Sequence, residues 1–239
     1  MFPHRMRERR KVAEANRDGG PLRVDLRSEK AYTIGQAARL AGISAATARR
    51  WLAAIGRDHA EVRDPDLLLS FFELIELVVF ARFRAQPNPV KVERIARAHA
   101  FAGTEFGTLH PFASLKLLQL GGHVLHHFDI ETAVHVADWI ALDMAGHPTL
   151  PGLVQSELDR NVDYRDGFAG VWHPRGRGVP IIVDPYIAGG RPVLEGHGIT
   201  IETMQRRWAA GESFDELAVD YDLSRAAIER AVQAVSRAA

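Results

Sequence analysis

"YTIGQAARLAGISAATARRWLAAIG", residues 32–56, is a run of small apolar residues and arginines broken once by a glycine, and the reading of that break decides the fold. Thr33 and Gln36 have the spacing of a capping box, which starts a helix at Ile34 that ends near Leu40. Gly42 can take the left-handed conformation of a tight turn, and Ser44 can cap a second helix by accepting a backbone N–H. In that second helix Ala48, Trp51, Leu52 and Ile55 recur at helical spacing and turn inward. Ala46, Thr47, Arg49 and Arg50 are left outside, a small, polar and basic face without a carboxylate. A helix that enters a major groove needs those features: small side chains for close approach, a hydroxyl near its N-terminus, and arginines for guanine edges or phosphates. The competing reading is a helical hairpin in an all-helical core, its arginines merely solvated.

The rest of the chain bounds the choice. Its 239 residues, 46% hydrophobic and 25% charged, suffice for two small cores. "LIELVVFARF", residues 74–83, is interrupted by Glu76 and Arg82, so no apolar run reaches a membrane span, and the charged N-terminus has no apolar signal stretch behind it. A cytoplasmic protein is expected. With no cysteine, disulfides, thiolate metal sites and cysteine nucleophiles are excluded. The net charge of zero is unevenly spread: residues 1–17 hold Arg5, Arg7, Arg9, Arg10, Lys11 and Arg17 against Glu8 and Glu14. Residues 210–222 hold Glu212, Asp215, Glu216, Asp220 and Asp222 with no base. One end attracts phosphate and the other repels it.

Residues 71–83 are apolar on nearly every side, as in a buried helix, and Val92, Ile95, Ala96 and His99 form one stripe of another. "SLKLLQL" and "HVLHHF" flank Gly121-Gly122 and predict a two-residue β-hairpin. Helical stretches are expected near 131–145 and 152–160, then one or two short strands within "GFAGVWHPRGRGVPIIVDP", residues 167–185. Thr200 predicts a helix over 201–209 that stops at Gly211, and Ser213 with Glu216 makes a second capping box. After "YDL", Ser224 predicts a last helix with Ile228, Val232 and Val235 inside and Arg225, Glu229 and Arg230 outside.

Two stretches carry resemblances. "YTIGQAARLAGISAATARRWL" with a short basic loop and "LLLSFFELIEL" resembles the N-terminal winged helix-turn-helix of MerR-type regulators over about residues 32–85. Thr47, Arg49 and Trp51 match that motif, Arg50 replaces its usual aromatic, and Gly56 to Arg63, with Arg57 and His59, would be the wing. Residues 181–235 resemble a small bacterial domain found in antitoxins encoded beside PIN-like ribonuclease toxins. The shared residues are Asp184-Pro185, Ile187, Gly189 to Pro192, Gly196, Ile199, Gly211, Ser213, Glu216 to Ala218, Tyr221 and Leu223. Gly196-His197-Gly198 departs from that domain's frequent Gly-Thr-Arg step. Together the two resemble the longer VapB-type antitoxins of mycobacteria and related actinobacteria.

The expected fold is mainly α with small β elements: a basic arm over 1–28, a winged helix-turn-helix over 29–104, a connecting α+β region over 105–180 and a C-terminal helical, helix-turn-helix-like domain over 181–239. The expected function is that of a non-enzymatic antitoxin, needing no cofactor or metal, that binds a PIN-like ribonuclease and operator DNA as a homodimer or hetero-oligomer. Ser44, Ala46, Thr47, Arg49, Arg50, Arg57, His59 and Arg63 are expected at the DNA. Arg175, Arg177, Arg191, Glu212, Asp215 and Glu216 are expected at the toxin, since arginines on glycine-rich segments can engage a carboxylate cluster bidentately. Two other readings stay open. One is a stand-alone MerR-like regulator sensing a small ligand. The other is a hydrolase built on His123, His126, His127 and His135, or on Asp163, Asp166, His173 and Asp184, although alternation along a strand would put His126 and His127 on opposite faces.

Overall fold

The computed structural model describes residues 25–131, 141–142 and 147–236. The described chain is mainly helical with small antiparallel two-stranded sheets. Strand β1 (Tyr32–Thr33) pairs with β2 (Leu68–Leu69), Tyr32 opposite Leu69. Between them lie α1 (Ile34–Ala41), α2 (Ala45–Ala54) and the short α3 (His59–Arg63). The capping box forms as read: Thr33 Oγ1 accepts the Gln36 N–H at 3.2 Å, and Gln36 Oε1 accepts the Thr33 N–H at 2.9 Å. Gly42 ends α1 in the left-handed region, φ 72°, and Ser44 caps α2 through the Thr47 N–H. Ala48, Trp51 and Leu52 are buried, and Trp51 stacks on Phe80 with ring centroids 4.5 Å apart.

Phe80 belongs to α4 (Phe71–Arg84), begun by a second capping box between Ser70 and Glu73. Every residue from Phe71 to Phe80 is buried, so the helix runs through the centre of the larger core. Each large apolar side chain buried there stabilises the fold by about 1.5–3 kcal/mol. Helix α5 (Val92–Phe106) follows and turns Ile95, Ala98 and His99 inward. A 3₁₀ turn at Pro111–Ala113 leads into α6 (Leu115–Glu131).

Helix α6 overturns the expected hairpin, since Gly121 and Gly122 lie inside it. A Cβ on Gly122 would lie 2.1 Å from the Pro148 carbonyl oxygen, and one on Gly121 would lie 2.9 Å from Leu150 Cδ2. The glycines let α6 approach the backbone of β4 (Pro148–Thr149), a tertiary demand rather than a turn. Strand β4 pairs with β3 (Ala141–Leu142), so no helix runs unbroken over 131–145; residues 132–140 and 143–145 of that expectation lie outside the described ones.

Helix α7 (Gly152–Asn161) leads directly into the hairpin β5 (Val162–Arg165) and β6 (Phe168–Trp172), turned by Asp166 and Gly167 at φ 53° and 79°. Trp172 bridges to Val183, which joins this hairpin to β7 (Ile181–Ile182), paired with β8 (Val193–Leu194). Helices α8 (Ile201–Ala209), α9 (Phe214–Asp220) and α10 (Arg225–Ser236) complete the chain. They enclose a second core of Ile181, Leu194, Ile201, Met204, Leu217, Tyr221, Ile228 and Val232, whereas the first runs from Tyr32 to Val183. Val235 lies where no side chain is described. Among the described residues no helix is long and apolar enough to cross a membrane.

Candidate nucleic-acid interface and C-terminal module

The outer face of α2 begins at its cap. The Ser44 hydroxyl accepts the Thr47 N–H at 3.1 Å and donates to Thr47 Oγ1 at 2.9 Å, so the two hydroxyls sit together at the exposed start of the helix beside Ala46. Arg50, one turn on, is exposed and has no side-chain partner among the described residues. His59 and Arg63, on α3, are likewise exposed and unpaired. With Arg49 and Arg84 these residues line a groove of about 880 Å³ between α2, α3 and the facing ends of α4 and α5. Glu93 is the one carboxylate lining it.

Two of the expected contact residues are committed elsewhere. Arg49 Nη1 donates to the carbonyl oxygens of Val62 and, at 2.8 Å, Asp64, and so pins the end of α3 to α2. Arg57 forms ion pairs with Glu61, at 2.7 Å, and with buried Glu73. Both shape the surface from behind and leave the exposed charge to Arg50, His59 and Arg63. The expected wing is also different: residues 59–63 form the helix α3, because Asp58 accepts the N–H of Ala60 at 2.6 Å and caps it.

Part of the acidic stretch of the C-terminal module is paired within the module. Arg207 Nε donates to Glu212 Oε1 at 2.8 Å, its Nη2 to Asp220 at 2.5 Å and its Nη1 to the Tyr221 hydroxyl at 2.8 Å. Hydrogen bonds to Glu212, Asp220 and Tyr221 hold its proton more tightly than usual. Asp215 pairs with Arg225 at 2.6 Å. Glu216 serves the capping box, and the backbone and hydroxyl of Ser213 draw its carboxyl below the ordinary range. Three of the five acids are therefore paired, by the two arginines that flank the stretch, and the repulsive field is reduced but not cancelled, with a net of three negative charges over residues 207–225. Of the expected arginines, Arg177 donates to Asp163 at 2.5 Å and to the Arg160 carbonyl at 2.8 Å, so it belongs to the β5–β6 region. Arg175 and Arg191 are exposed.

The structure brings His173 and Asp163 together, with Nε2 3.1 Å from Oδ2, but Asp163 also accepts from Arg177. Burial raises the Asp163 carboxyl, and the bonds from Arg177 and His173 outweigh it, leaving the group below its usual range. Asp184 pairs with Arg165 at 3.1 Å, away from that couple. His123, His126 and His127 lie on α6 rather than on a strand, and His127 stacks on Phe101; His135 lies outside the described residues. Among the described residues no three His, Cys, Asp or Glu side chains converge as metal ligands would.

Three buried glutamates organise the larger core, unsuspected from apolar periodicity. Glu73 holds Lys30 at 2.5 Å and Arg57. Glu157 accepts the Trp172 indole N–H at 2.7 Å and Arg82 Nε at 2.8 Å. Glu76 accepts from His99 Nε2 at 2.9 Å and from the Phe112 N–H at 3.4 Å. Sequence offered one signal for them, a glutamate inside an otherwise apolar helix.

Residues 181–233 match the family described as "Protein of unknown function (DUF433)". That match covers the C-terminal module. The fold as a whole is similar to the crystal structure of Rv2018 from Mycobacterium tuberculosis, with a TM-score of 0.72 at 22% identity over 85% of this chain and 98% of that one. No curated protein matches the chain by sequence.

Proposed function

We propose that the chain is a DNA-binding antitoxin: α1 and α2 act as a helix-turn-helix with α3 in the place of a wing, and the C-terminal module binds a PIN-like ribonuclease. The observation that carries the DNA half is the basic groove lined by exposed, unpaired Arg50, His59 and Arg63, with Arg50 one turn along α2 from the Ser44–Thr47 hydroxyls. A helix N-terminus with small residues and hydroxyls admits close approach, so that Arg50 on the same helix and Arg63 beside it can reach base edges while His59 meets phosphate. The toxin half rests on the likeness of residues 181–235 to the antitoxin-associated domain, of which residues 181–233 also match DUF433. The reading is of a cytoplasmic binding protein and not an enzyme. The acid–base couple that the sequence offered, His173 and Asp163, has its carboxylate already held by Arg177.

The test has two arms. Titration of fluorescent DNA from upstream of the chain's own gene should show binding tighter than to scrambled DNA, and the double substitution Arg50→Ala, Arg63→Ala should weaken it, each base contact being worth about 1–3 kcal/mol. Co-expression with the ribonuclease encoded next to it should yield a complex in which RNA cleavage is silenced. Equal affinity for both DNAs sinks the first half; a free, active ribonuclease sinks the second.

A further inference from the structure

A second hollow, of about 340 Å³, opens where α1 meets the C-terminal module. Its apolar lining includes Tyr32, Leu40, Ile181, Pro192 and Ile201, contributed by both cores and the side chains around them. Around it stand Arg39, Arg175 and Arg191, all exposed. Elsewhere in the described chain Arg27, Arg57, Arg82, Arg165, Arg177, Arg207 and Arg225 each pair with a carboxylate, while Arg49, Arg50 and Arg63 by the α2–α3 groove do not. The three around the hollow pair with none either: Arg191 Nε donates only to the Ala188 carbonyl, at 3.1 Å, and Arg39 and Arg175 have no side-chain partner among the described residues. One carboxylate, Glu202, lines the hollow, on the first turn of α8, whose positive N-terminal end begins there.

Three uncompensated guanidinium groups around an apolar recess form an amphipathic receptor. The recess removes a hydrophobic body from water, and the forked donors match the oxygens of an oxyanion. Its volume lies within the range of small-molecule sites, which favour junctions between structural units. We infer that this hollow binds a small organic anion, an aromatic or aliphatic body carrying a carboxylate, sulfonate or phosphate head. Because its walls come from α1 and from residues 174–205, the bound anion ties the N-terminal helix pair to the C-terminal module. The inference stands whether or not the partner of that module is a ribonuclease.

Two fluorescent probes of similar shape test it on the full chain: 8-anilinonaphthalene-1-sulfonate, which carries the anion, and neutral N-phenyl-1-naphthylamine. The sulfonate should bind saturably, one per chain. Replacing Arg39, Arg175 and Arg191 with alanine should weaken the sulfonate by about tenfold or more and leave the neutral probe within about twofold. Gln205→Trp, which fills the hollow and keeps the arginines, should abolish both, with melting curves confirming that each variant is folded. Sulfonate binding that survives the arginine substitutions, or probes indifferent to Gln205→Trp, overturns the inference. So does an acidic peptide that binds where the sulfonate fails, since it would make the hollow a protein-docking site.

Discussion

Gly122 and Glu76 show how much one atom decides at the residue scale. A Cβ on Gly122 would meet the Pro148 carbonyl oxygen at 2.1 Å and the Thr149 Cα at 2.7 Å, both backbone atoms that cannot rotate away. In an open helix a glycine-to-alanine change gains up to about 1 kcal/mol. Here overpacking reverses the sign, and Gly122→Ala should destabilise by about 1–3 kcal/mol in urea unfolding. Gly152→Ala, where nothing lies within 4 Å, is the control and should be neutral or stabilising. Glu76 tests electrostatics instead. Burial pushes its carboxyl up, yet the bond from His99 and the His110 ring 3.7 Å away outweigh burial and leave it below its ordinary 4.5. A depressed folded-state pKa means stability that is present above the unfolded value and lost as pH falls from there through the folded one. Urea midpoints measured between about pH 3 and pH 6 should therefore fall on acidification, and less steeply in Glu76→Gln. Glu76→Ala leaves His99 and the Phe112 N–H without their acceptor inside the core and should cost about 1–3 kcal/mol; a loss indistinguishable from zero would refute the pairing.

Among the elements, what was legible followed from local rules. The caps at Thr33, Ser44, Ser213 and Thr200 and the inward stripe of α2 need only a few neighbouring residues, and all formed where read. What was not legible depends on partners distant in sequence. Gly121-Gly122 has the local signature of a turn, but its use is the crossing of α6 over β4. The ends of Arg49 are decided by the Val62 and Asp64 carbonyls, 13 and 15 residues on, which no periodicity announces. That difference separates the roles of adjacent arginines on α2. Arg50→Ala should weaken DNA binding and leave the melting temperature unchanged. Arg49→Ala frees the end of α3, so it should lower both, by about 1–3 kcal/mol in stability for a hydrogen-bonded charged group. Calorimetry and DNA titration on the two variants decide the matter: equal melting temperatures would make Arg49 a plain surface contact, and a destabilised Arg50→Ala would remove it from the reading face.

The zero net charge of the whole molecule conceals cations left over after pairing. Arg207 and Arg225 are engaged by Glu212, Asp220 and Asp215 inside the C-terminal module, and Arg39, Arg175 and Arg191 stand around the hollow beside it, so the positive charge next to the proposed reading helix is that of the α2–α3 groove and of the arm sequence before it. A groove of this size meets only a few base pairs, and useful discrimination then calls for two copies on a two-fold site with half-sites a whole number of helical turns apart. The full chain should accordingly sediment on DNA as two chains per site, and insertion of half a helical turn between the half-sites should abolish tight binding. The arm sequence should act differently from the groove. Residues 1–17, with Arg5, Arg7, Arg9, Arg10, Lys11 and Arg17, can release counterions from phosphates but read no base. Each phosphate contact contributes about 0.9 to the slope of log affinity against log salt, so deleting residues 1–17 should flatten that slope and weaken specific and scrambled DNA alike. Arg50→Ala should instead narrow the gap between the two DNAs. If the deletion leaves the slope unchanged while Arg50→Ala weakens both DNAs equally, the groove is only an electrostatic contact and the assignment of α2 as the reading helix is wrong.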